Sequence, residues 1–179
     1  MRILFVDDRR SDVERCLQEL KRMDFAVSAD WVQAPAEFAE RLRTQTYDVI
    51  VCDYSMPSWT GMEALEHLRQ ANPEIPFILV TSILDEDMTD AFIRKGAFDC
   101  VDKNRLNRLP LAVALAVEET TRREERDHAE KELRHSEAHY RALVENPTFG
   151  ICHFDVDGQF LDVNDALVAM LGYKSKTEL

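Results

Sequence analysis

The sequence predicts an α/β fold in which helices cover both faces of a doubly wound, five-stranded parallel sheet. A long C-terminal helix and a short α+β segment follow it. Uninterrupted apolar runs recur at 3–6, 49–52 and 77–80, as in strands that are buried on both faces. Helical periodicity separates the runs, and such alternation of strand and helix indicates parallel strands. Neither Gly nor Pro occurs within residues 111–145, which predicts the long helix.

Local patterns place the elements in chain order. Ser11 is the expected N-cap of the first helix, whose apolar residues recur at helical spacing up to Leu20. Lys95 and Gly96 close a helix that opens with acidic residues, as a helix dipole and a C-cap prefer. The predicted strands are 3–6, 25–32, 49–52, 77–80 and 98–101, and the predicted helices are 11–23, 34–45, 61–72, 85–96 and one beginning near Arg105.

Composition argues against several classes of protein. The chain of 179 residues is 45% hydrophobic, which is enough for a buried core. Its net charge of −12 argues against contact with nucleic acid, because phosphate-binding surfaces are basic. No apolar run approaches the roughly 20 residues of a membrane span, and none of the four cysteines lies in a C-x-x-C pair. We expect a cytoplasmic chain with reduced thiols and no membrane contact.

The strand ends carry the residues that are most informative about chemistry. Asp7 and Asp8 follow the first strand, Asp53 ends the third, Thr81 ends the fourth and Lys103 follows the fifth. Because the carboxyl ends of the strands in an open parallel sheet border one crevice, these side chains should converge there. Each residue alone has an ordinary structural explanation, such as a helix cap or a surface charge. Their joint position at four strand ends favours a functional site.

A cluster of three carboxylates and one ammonium group carries an excess of negative charge. Two like charges ~4 Å apart repel by about 4 kcal/mol at an effective dielectric constant of ~20. Either a carboxyl stays protonated or a divalent cation binds, and Mg²⁺ prefers oxygen ligands. We expect Asp8, Asp53 and a backbone carbonyl to hold Mg²⁺, with Asp7 contacting it through water. Asp53 would be the nucleophile that forms an acyl phosphate, while Lys103 and Thr81 would contact the phosphoryl oxygens.

Residues 1–117 resemble a response-regulator receiver domain of two-component signalling. The resemblance rests on "FVDD", "VCDYSMP", "ILVTS" and "KGAFDCVDK". It implies a flavodoxin-like fold, phosphoryl transfer to Asp53 from a histidine kinase or a phosphotransfer protein, and a third metal contact from the carbonyl of Ser55. It also implies a conformational switch that couples Thr81 to position 100. That position holds Cys100 instead of an aromatic residue, and we expect Phe98 to lie on the same strand face as Cys100.

The C-terminal third resembles the beginning of a PAS domain. Residues 137–179 carry this likeness, with a hairpin signal at Asp157-Gly158 and Asn164 or Asp165 as the cap of a short helix. The predicted organisation is a receiver at 1–117, a helical signalling linker at 118–145 and an incomplete PAS segment at 146–179. The chain is therefore interpreted as part of a longer hybrid sensor or regulator.

A weak heptad seam predicts that the linker pairs with a second copy. Leu133 and Tyr140 are seven residues apart, and Leu143 follows at the next seam position. The alternative is a single solvated helix. His128, His135 and His139 also lie on this helix, in no sequence context that is typical of a kinase phosphoacceptor, and are interpreted as parts of a solvated face.

Two other functions are alternatives to phosphoryl transfer within a two-component phosphorelay. A phosphatase of the haloacid-dehalogenase type would need a second Asp two residues after the nucleophile, where this chain has Ser55. A degenerate receiver could act as a dimerising scaffold without phosphotransfer, but the complete set of acidic, hydroxyl and lysine residues argues against it. We expect no enzymatic turnover by this chain beyond its own phosphotransfer; any kinase or other output domain would lie elsewhere in a longer parent.

Overall fold

The computed structural model describes residues 1–23, 25–83, 85–146 and 148–178. The chain divides into two compact units, Met1–Arg123 and Glu124–Leu179. The first unit contains five strands, β1 (Arg2–Val6), β2 (Ser28–Val32), β3 (Val49–Asp53), β4 (Phe77–Thr81) and β5 (Asp99–Asp102). Its helices are α1 (Arg10–Lys21), α2 (Pro35–Thr44), α3 (Gly61–Ala71), α4 (Glu86–Arg94), a 3₁₀ helix (Lys103–Arg108) and the start of α5 (Leu109–Val144).

The five strands form one parallel sheet in the order β2-β1-β3-β4-β5. This confirms the predicted doubly wound α/β fold of the flavodoxin type. The order reverses between β1 and β3, because the chain first adds β2 on one side of β1 and then adds β3 on the other. The carboxyl ends of β1 and β3 therefore border the crevice where ligands bind in folds of this kind.

Two apolar clusters lie on opposite faces of the sheet. One contains Ile50 of β3 together with residues of α2, α3 and α4 such as Phe38. The other contains Val51 of β3 together with residues of α1 and α5 such as Val113. Consecutive β3 residues enter different clusters because side chains alternate along a strand. This explains why the strands read as uninterrupted apolar runs.

A close backbone approach fixes the loop that follows β3. Gly61 opens α3, and its N–H donates to the carbonyl of Tyr54 at 2.8 Å. A Cβ at Gly61 would lie 2.7 Å from Leu79 Cδ1 and 2.8 Å from the carbonyl oxygen of Asp53. Only glycine fits there without moving the end of β3. Thr60 and Glu63 then form a capping box that fixes the first turn of α3.

Several local predictions need correction. Ser11 is not the N-cap of α1: the helix begins at Arg10, and Arg9 takes the extended cap conformation without a side-chain cap bond. The carboxylate of Asp7 accepts the N–H of Arg9 at 2.8 Å and so satisfies a donor at this helix start. The last helix is preceded by the 3₁₀ helix Lys103–Arg108, because the Asp102 carboxylate caps the N–H of Asn104 at 2.8 Å and starts a separate turn.

The second unit contains the end of α5, an antiparallel pair of strands and a short helix. Strands β6 (Cys152–Phe154) and β7 (Phe160–Val163) are joined through a turn at Gly158, whose φ is 84°. The hairpin signal is therefore confirmed. Helix α6 (Asp165–Met170) is capped by the side chain of Asn164, which accepts the N–H of Leu167 at 3.0 Å. A 3₁₀ turn, Lys176–Glu178, follows it.

Helix α5 is continuous over its 36 residues. The absence of Gly and Pro from the helix after Pro110 predicted this continuity. The seam residues Leu133, Tyr140 and Leu143 are all exposed in the second unit. Within the described part of the chain, no helix combines the length and apolarity needed to cross a membrane.

Candidate functional site

Three carboxylates meet at the carboxyl edge of the sheet. β1 leads into Asp7 and Asp8, and β3 ends in Asp53. One carboxylate oxygen from each residue lies within 4.8 Å of the others. Asp7 and Asp53 are buried, and Asp8 is half-buried. The main chain beneath them is fixed by the indole N–H of Trp31, which donates to the carbonyl of Asp7 at 2.7 Å.

A buried lysine joins the carboxylates from the β5 side of the crevice. Lys103 is only 5% exposed. Its Nζ lies 3.0 Å from Asp53 Oδ2 and 3.4 Å from Asp7 Oδ2. The other oxygen of Asp53, Oδ1, accepts the N–H of Tyr54 at 2.8 Å. The nucleophile proposed from the sequence is therefore held by one ammonium group and one backbone amide.

A fourth carboxylate, Asp12, was missed at the sequence level. It belongs to the first turn of α1, is 9% exposed and approaches Lys103 Nζ at 2.7 Å. The signal was present, because Asp12 stands four residues before Cys16 and eight before Leu20, on the buried face of α1. A charged residue at a core position of an amphipathic helix requires a buried partner.

Burial and charge shift the acidities of these groups in different directions. Burial raises the pKa of Asp7 to about 6, against the opposing effects of the Arg9 amide and Lys103. Burial also works against ionisation of Asp12, but the hydrogen bond to Lys103 and the positive charges of Lys103, Arg9 and Arg15 together outweigh burial, and the pKa of Asp12 is lowered. For Lys103 itself, burial lowers the pKa, but the hydrogen bonds to Asp12 and Asp53 and the negative charges of Asp7 and Asp53 together outweigh burial and raise it. The lysine therefore stays charged near neutral pH.

The raised pKa of Asp7 predicts a pH dependence of stability in the metal-free protein. The folded state binds the Asp7 proton more tightly than the unfolded chain, whose pKa is near 3.8. Protonation of Asp7 thus favours folding fully below pH ~4, and this stabilisation is lost as the pH rises through ~6. The shift corresponds to about 3 kcal/mol. Asp7→Asn should therefore gain about this much stability over the parent between pH ~4 and ~7.

Urea unfolding in EDTA at several pH values tests this expectation. The difference between Asp7→Asn and the parent isolates Asp7 from the other carboxylates, which titrate in both proteins. Asp90→Asn is the control, since Asp90 is an exposed α4 residue with a long ion pair of 3.5 Å to Arg94. A stability difference that does not change with pH would contradict the raised pKa.

The acidic cluster fits a hard divalent cation. Oδ1 of Asp8 is buried and has no hydrogen-bond partner among the residues that the structure describes. An unpaired buried carboxylate oxygen is costly unless a proton or a metal ion satisfies it. Oxygen donors from Asp7, Asp8 and Asp53 suit Mg²⁺, which retains several waters when it binds to few protein ligands.

Thr81 ends a strand of the sheet, and Ser55 lies in the loop that follows another. Thr81 is buried at the end of β4, and its Oγ1 is hydrogen-bonded to the backbone of Ile83, with both the N–H and the carbonyl at 3.2 Å. Ser55 is exposed in the loop after β3, where it forms an isolated bridge with Thr60. Their suggested contacts with a phosphoryl group and with a metal ion remain predictions.

Cys100 and Phe98 lie on opposite faces of the sheet, so the expectation that they share a face is wrong. Cys100 is buried in the cluster that contains Phe92, whereas Phe98 packs against the cluster that contains Val101. Strand β5 begins only at Asp99, and so the two-residue alternation does not reach back to Phe98. Phe98 is therefore not positioned to replace an aromatic residue at position 100.

Two protein-family models match the sequence, and the first agrees with the geometry of this site. The model of the response regulator receiver domain matches residues 3–114. The chain belongs to the response regulator receiver domain family. A PAS domain model matches residues 138–179, so the receiver is followed by a PAS segment, as predicted. This membership, together with the relatives below, assigns the receiver to two-component signalling.

Similar proteins include transcriptional regulators. The transcriptional regulatory protein ZraR of Klebsiella oxytoca is 31% identical over 106 residues, covering 56% of this chain and 22% of ZraR. The DNA-binding transcriptional regulator NtrC of Escherichia coli is 35% identical over 68 residues, covering 38% of this chain and 14% of NtrC. The matched part is thus only a small share of these relatives.

A solved structure with the same fold is the beryllofluoride-activated NtrC4 receiver domain dimer. It has a TM-score of 0.60 and 25% identity, over 66% of this chain and 98% of that chain. The receiver fold of this chain therefore corresponds to nearly the whole of that domain.

Proposed function

We propose that this receiver accepts a phosphoryl group on Asp53, in a Mg²⁺-dependent reaction, from the phosphohistidine of a histidine kinase or phosphotransfer protein. The observation that carries the proposal is the environment of Asp53. Its carboxylate is 5% exposed, lies 3.0 Å from Lys103 Nζ and shares the crevice with Asp7 and Asp8. A nucleophile, a cation and metal-ligand oxygens are the parts that phosphoryl transfer requires.

The residues divide the chemistry among themselves. Oδ2 of Asp53 pairs with Lys103, and Oδ1 accepts the Tyr54 N–H, so the carboxylate is held in one orientation. An Asp53 oxygen attacks phosphorus, an O–P bond forms, and the N–P bond to the donor imidazole breaks. The electron pair of the N–P bond stays on the departing imidazole nitrogen, which takes up a proton from solvent water. Lys103 then neutralises charge on the transferred group.

A bound Mg²⁺ would neutralise the remaining charge on the phosphoryl oxygens. Asp8 and Asp53 would hold it together with the Ser55 carbonyl, and Asp7 would contact it through water. The unpaired Oδ1 of Asp8 supports this arrangement.

Signal output would begin at Thr81. Its hydroxyl, now bonded to the Ile83 backbone at 3.2 Å, would turn to the phosphoryl group and release the loop before α4. Cys100 would be the second switch position. The receiver (1–117) would transmit its state through the linker (118–145) to the PAS segment (146–179) and to further domains of a cytoplasmic protein.

A phosphorylation assay tests the proposal. The chain is incubated with acetyl phosphate and Mg²⁺, and intact-mass spectrometry measures the added phosphoryl group. Phosphorylation should depend on Mg²⁺ and be lost in EDTA. Failure of the folded chain to be phosphorylated with Mg²⁺ present would favour the scaffold function instead.

Mg²⁺ should also raise the melting temperature of the parent. The cation binds only the folded site and relieves the repulsion among its carboxylates. Asp8→Ala should be more stable than the parent in EDTA, because a like charge is removed, and should respond little to Mg²⁺. A parent melting temperature that is independent of Mg²⁺ would contradict the metal site. Differential scanning calorimetry gives both comparisons.

The linker would join two copies of the chain side by side. Leu133, Tyr140 and Leu143 are 59%, 70% and 54% exposed and recur at the spacing of a coiled-coil seam. Leu133→Glu should therefore shift sedimentation toward the monomer. Ala138→Glu is the matched control, since it adds the same charge at a position off the seam. A monomeric parent at tens of micromolar, or equal dimerisation of both variants, would exclude the linker as the joining surface.

A further inference from the structure

Asp12 is a buried carboxylate that the proposed phosphotransfer does not use. Its Oδ2 lies 2.7 Å from Lys103 Nζ, closer than any other carboxylate in the crevice. The same oxygen also lies 3.1 Å from Nη2 of Arg9. Asp12 is therefore a direct ion-pair partner of Lys103.

Lys103 divides its ammonium group among three carboxylates. Besides Asp12, it contacts Asp53 at 3.0 Å and Asp7 at 3.4 Å. Asp53 and Asp7 are also two of the three candidate metal contacts. A cation that binds these oxygens must compete with the ammonium group, because both neutralise the same negative charges. The position of Lys103 thus affects how readily the metal binds.

Helix α1 binds both the ammonium group and the main-chain carbonyl of Lys103. Asp12 binds its ammonium group, while Nη2 of Arg15 donates to its main-chain carbonyl at 3.1 Å. Asp12 and Arg15 are one helical turn apart and lie 3.8 Å from each other at their nearest charged atoms. The lysine is therefore tied to α1, although its chain position lies at the end of β5.

We propose that Asp12 is a positioning residue that holds Lys103 on the α1 side of the crevice and so leaves Asp53 and Asp7 available to Mg²⁺. The inference rests on the proposed function. Without the Asp12 charge, the ammonium group pairs more fully with Asp53 and Asp7, and Mg²⁺ binds less tightly. Asp12 touches neither the metal nor the phosphoryl donor in this role; it acts through Lys103.

Mg²⁺ titration by calorimetry measures this role without relying on phosphorylation. Asp12→Asn keeps the size of the side chain and an oxygen acceptor for Lys103 but removes the charge. Its Mg²⁺ dissociation constant should rise by about fivefold or more, at the lower end of ordinary coupling between sites. The titrations are run at ~0.1 M KCl, where exposed charges farther apart than about 10 Å are largely screened.

Two controls separate positioning from a general loss of charge. Glu14→Gln removes one negative charge from the exposed face of α1, where Glu14 pairs with Arg10 at 3.0 Å. Asp12→Glu keeps the charge opposite Lys103. Both should bind Mg²⁺ nearly as the parent does. In a Lys103→Met background, Asp12→Asn should no longer weaken Mg²⁺ binding, because the competing ammonium group is absent.

The outcomes distinguish this inference from the proposed function. A parent that does not bind Mg²⁺ overturns the proposed metal-dependent function. A parent that binds Mg²⁺, with an effect of Asp12→Asn below about fivefold, overturns only the role of Asp12. An equal effect of Glu14→Gln, or an undiminished effect in the Lys103→Met background, also overturns it. Should Asp12→Asn not fold, Asp12→Ser removes the same charge with a smaller side chain.

Discussion

Asp53→Asn is expected to lose phosphorylation by acetyl phosphate completely. The amide removes the nucleophilic oxygen but keeps the shape of the side chain and an acceptor for the Tyr54 N–H, which lies 2.8 Å away. The variant also removes one negative charge from the crowded crevice, so it should fold at least as stably as the parent in EDTA. Intact-mass spectrometry should therefore detect unmodified, folded protein.

Asp90→Asn provides the matched control for this substitution. Asp90 lies on α4 with a side chain that is 70% exposed, so its variant should be phosphorylated at the rate of the parent. If Asp53→Asn is phosphorylated as efficiently as Asp90→Asn, Asp53 is not the phosphoacceptor. A peptide map of the modified parent locates the phosphoryl group independently.

The sheet could be predicted because its signals are local. Each central strand is an unbroken apolar run, and alternation with helices implies parallel strands in a doubly wound order. The meeting of Asp7, Asp8 and Asp53 then follows from topology, since the ends of β1 and β3 are adjacent in such a sheet. Here a regular architecture converts positions in the sequence into distances in space.

The details that were missed or predicted wrongly depend on tertiary packing rather than on the sequence pattern. The buried position of Asp12 could be read from the spacing of α1, but its partner could not, because only the folded chain brings α1 beside Lys103, 91 residues later. The prediction of Ser11 as the N-cap was wrong because α1 already begins at Arg10, after Arg9, whose N–H donates to the Asp7 carboxylate. The sheet face on which Phe98 lies depends on where β5 begins. Strand ends are the features that a sequence pattern predicts least reliably.

The Thr81 hydroxyl gives a further example. A hydroxyl at a strand end has several possible acceptors, and sequence alone does not rank them. The hydrogen bonds to the Ile83 backbone at 3.2 Å show which ones it takes in this conformation. The sequence identified the residue, whereas the partner depends on the conformation of the following loop.

Lys103→Met is expected to destabilise the metal-free protein by about 3–5 kcal/mol, since removal of one partner leaves buried charges uncompensated. The ammonium group is within 3.4 Å of Asp7, Asp12 and Asp53. Methionine replaces it with an apolar side chain of similar length. The variant should respond by binding protons, because a buried carboxylate without a partner is more stable when neutral. Its deficit should consequently shrink as the pH is lowered toward ~4.

Lys95→Met is the control that separates this effect from the loss of any lysine. Lys95 forms its ion pair with Glu66 at the surface, where both side chains are about half exposed, and its loss should change stability by no more than about 1 kcal/mol. Mg²⁺ should restore part of the stability of Lys103→Met, because a divalent cation neutralises Asp7 and Asp53 in place of the ammonium group. Urea unfolding with EDTA or Mg²⁺ measures both effects. Equal stabilities of the two lysine variants in EDTA would mean that the carboxylates of the crevice do not depend on Lys103 for their charge balance.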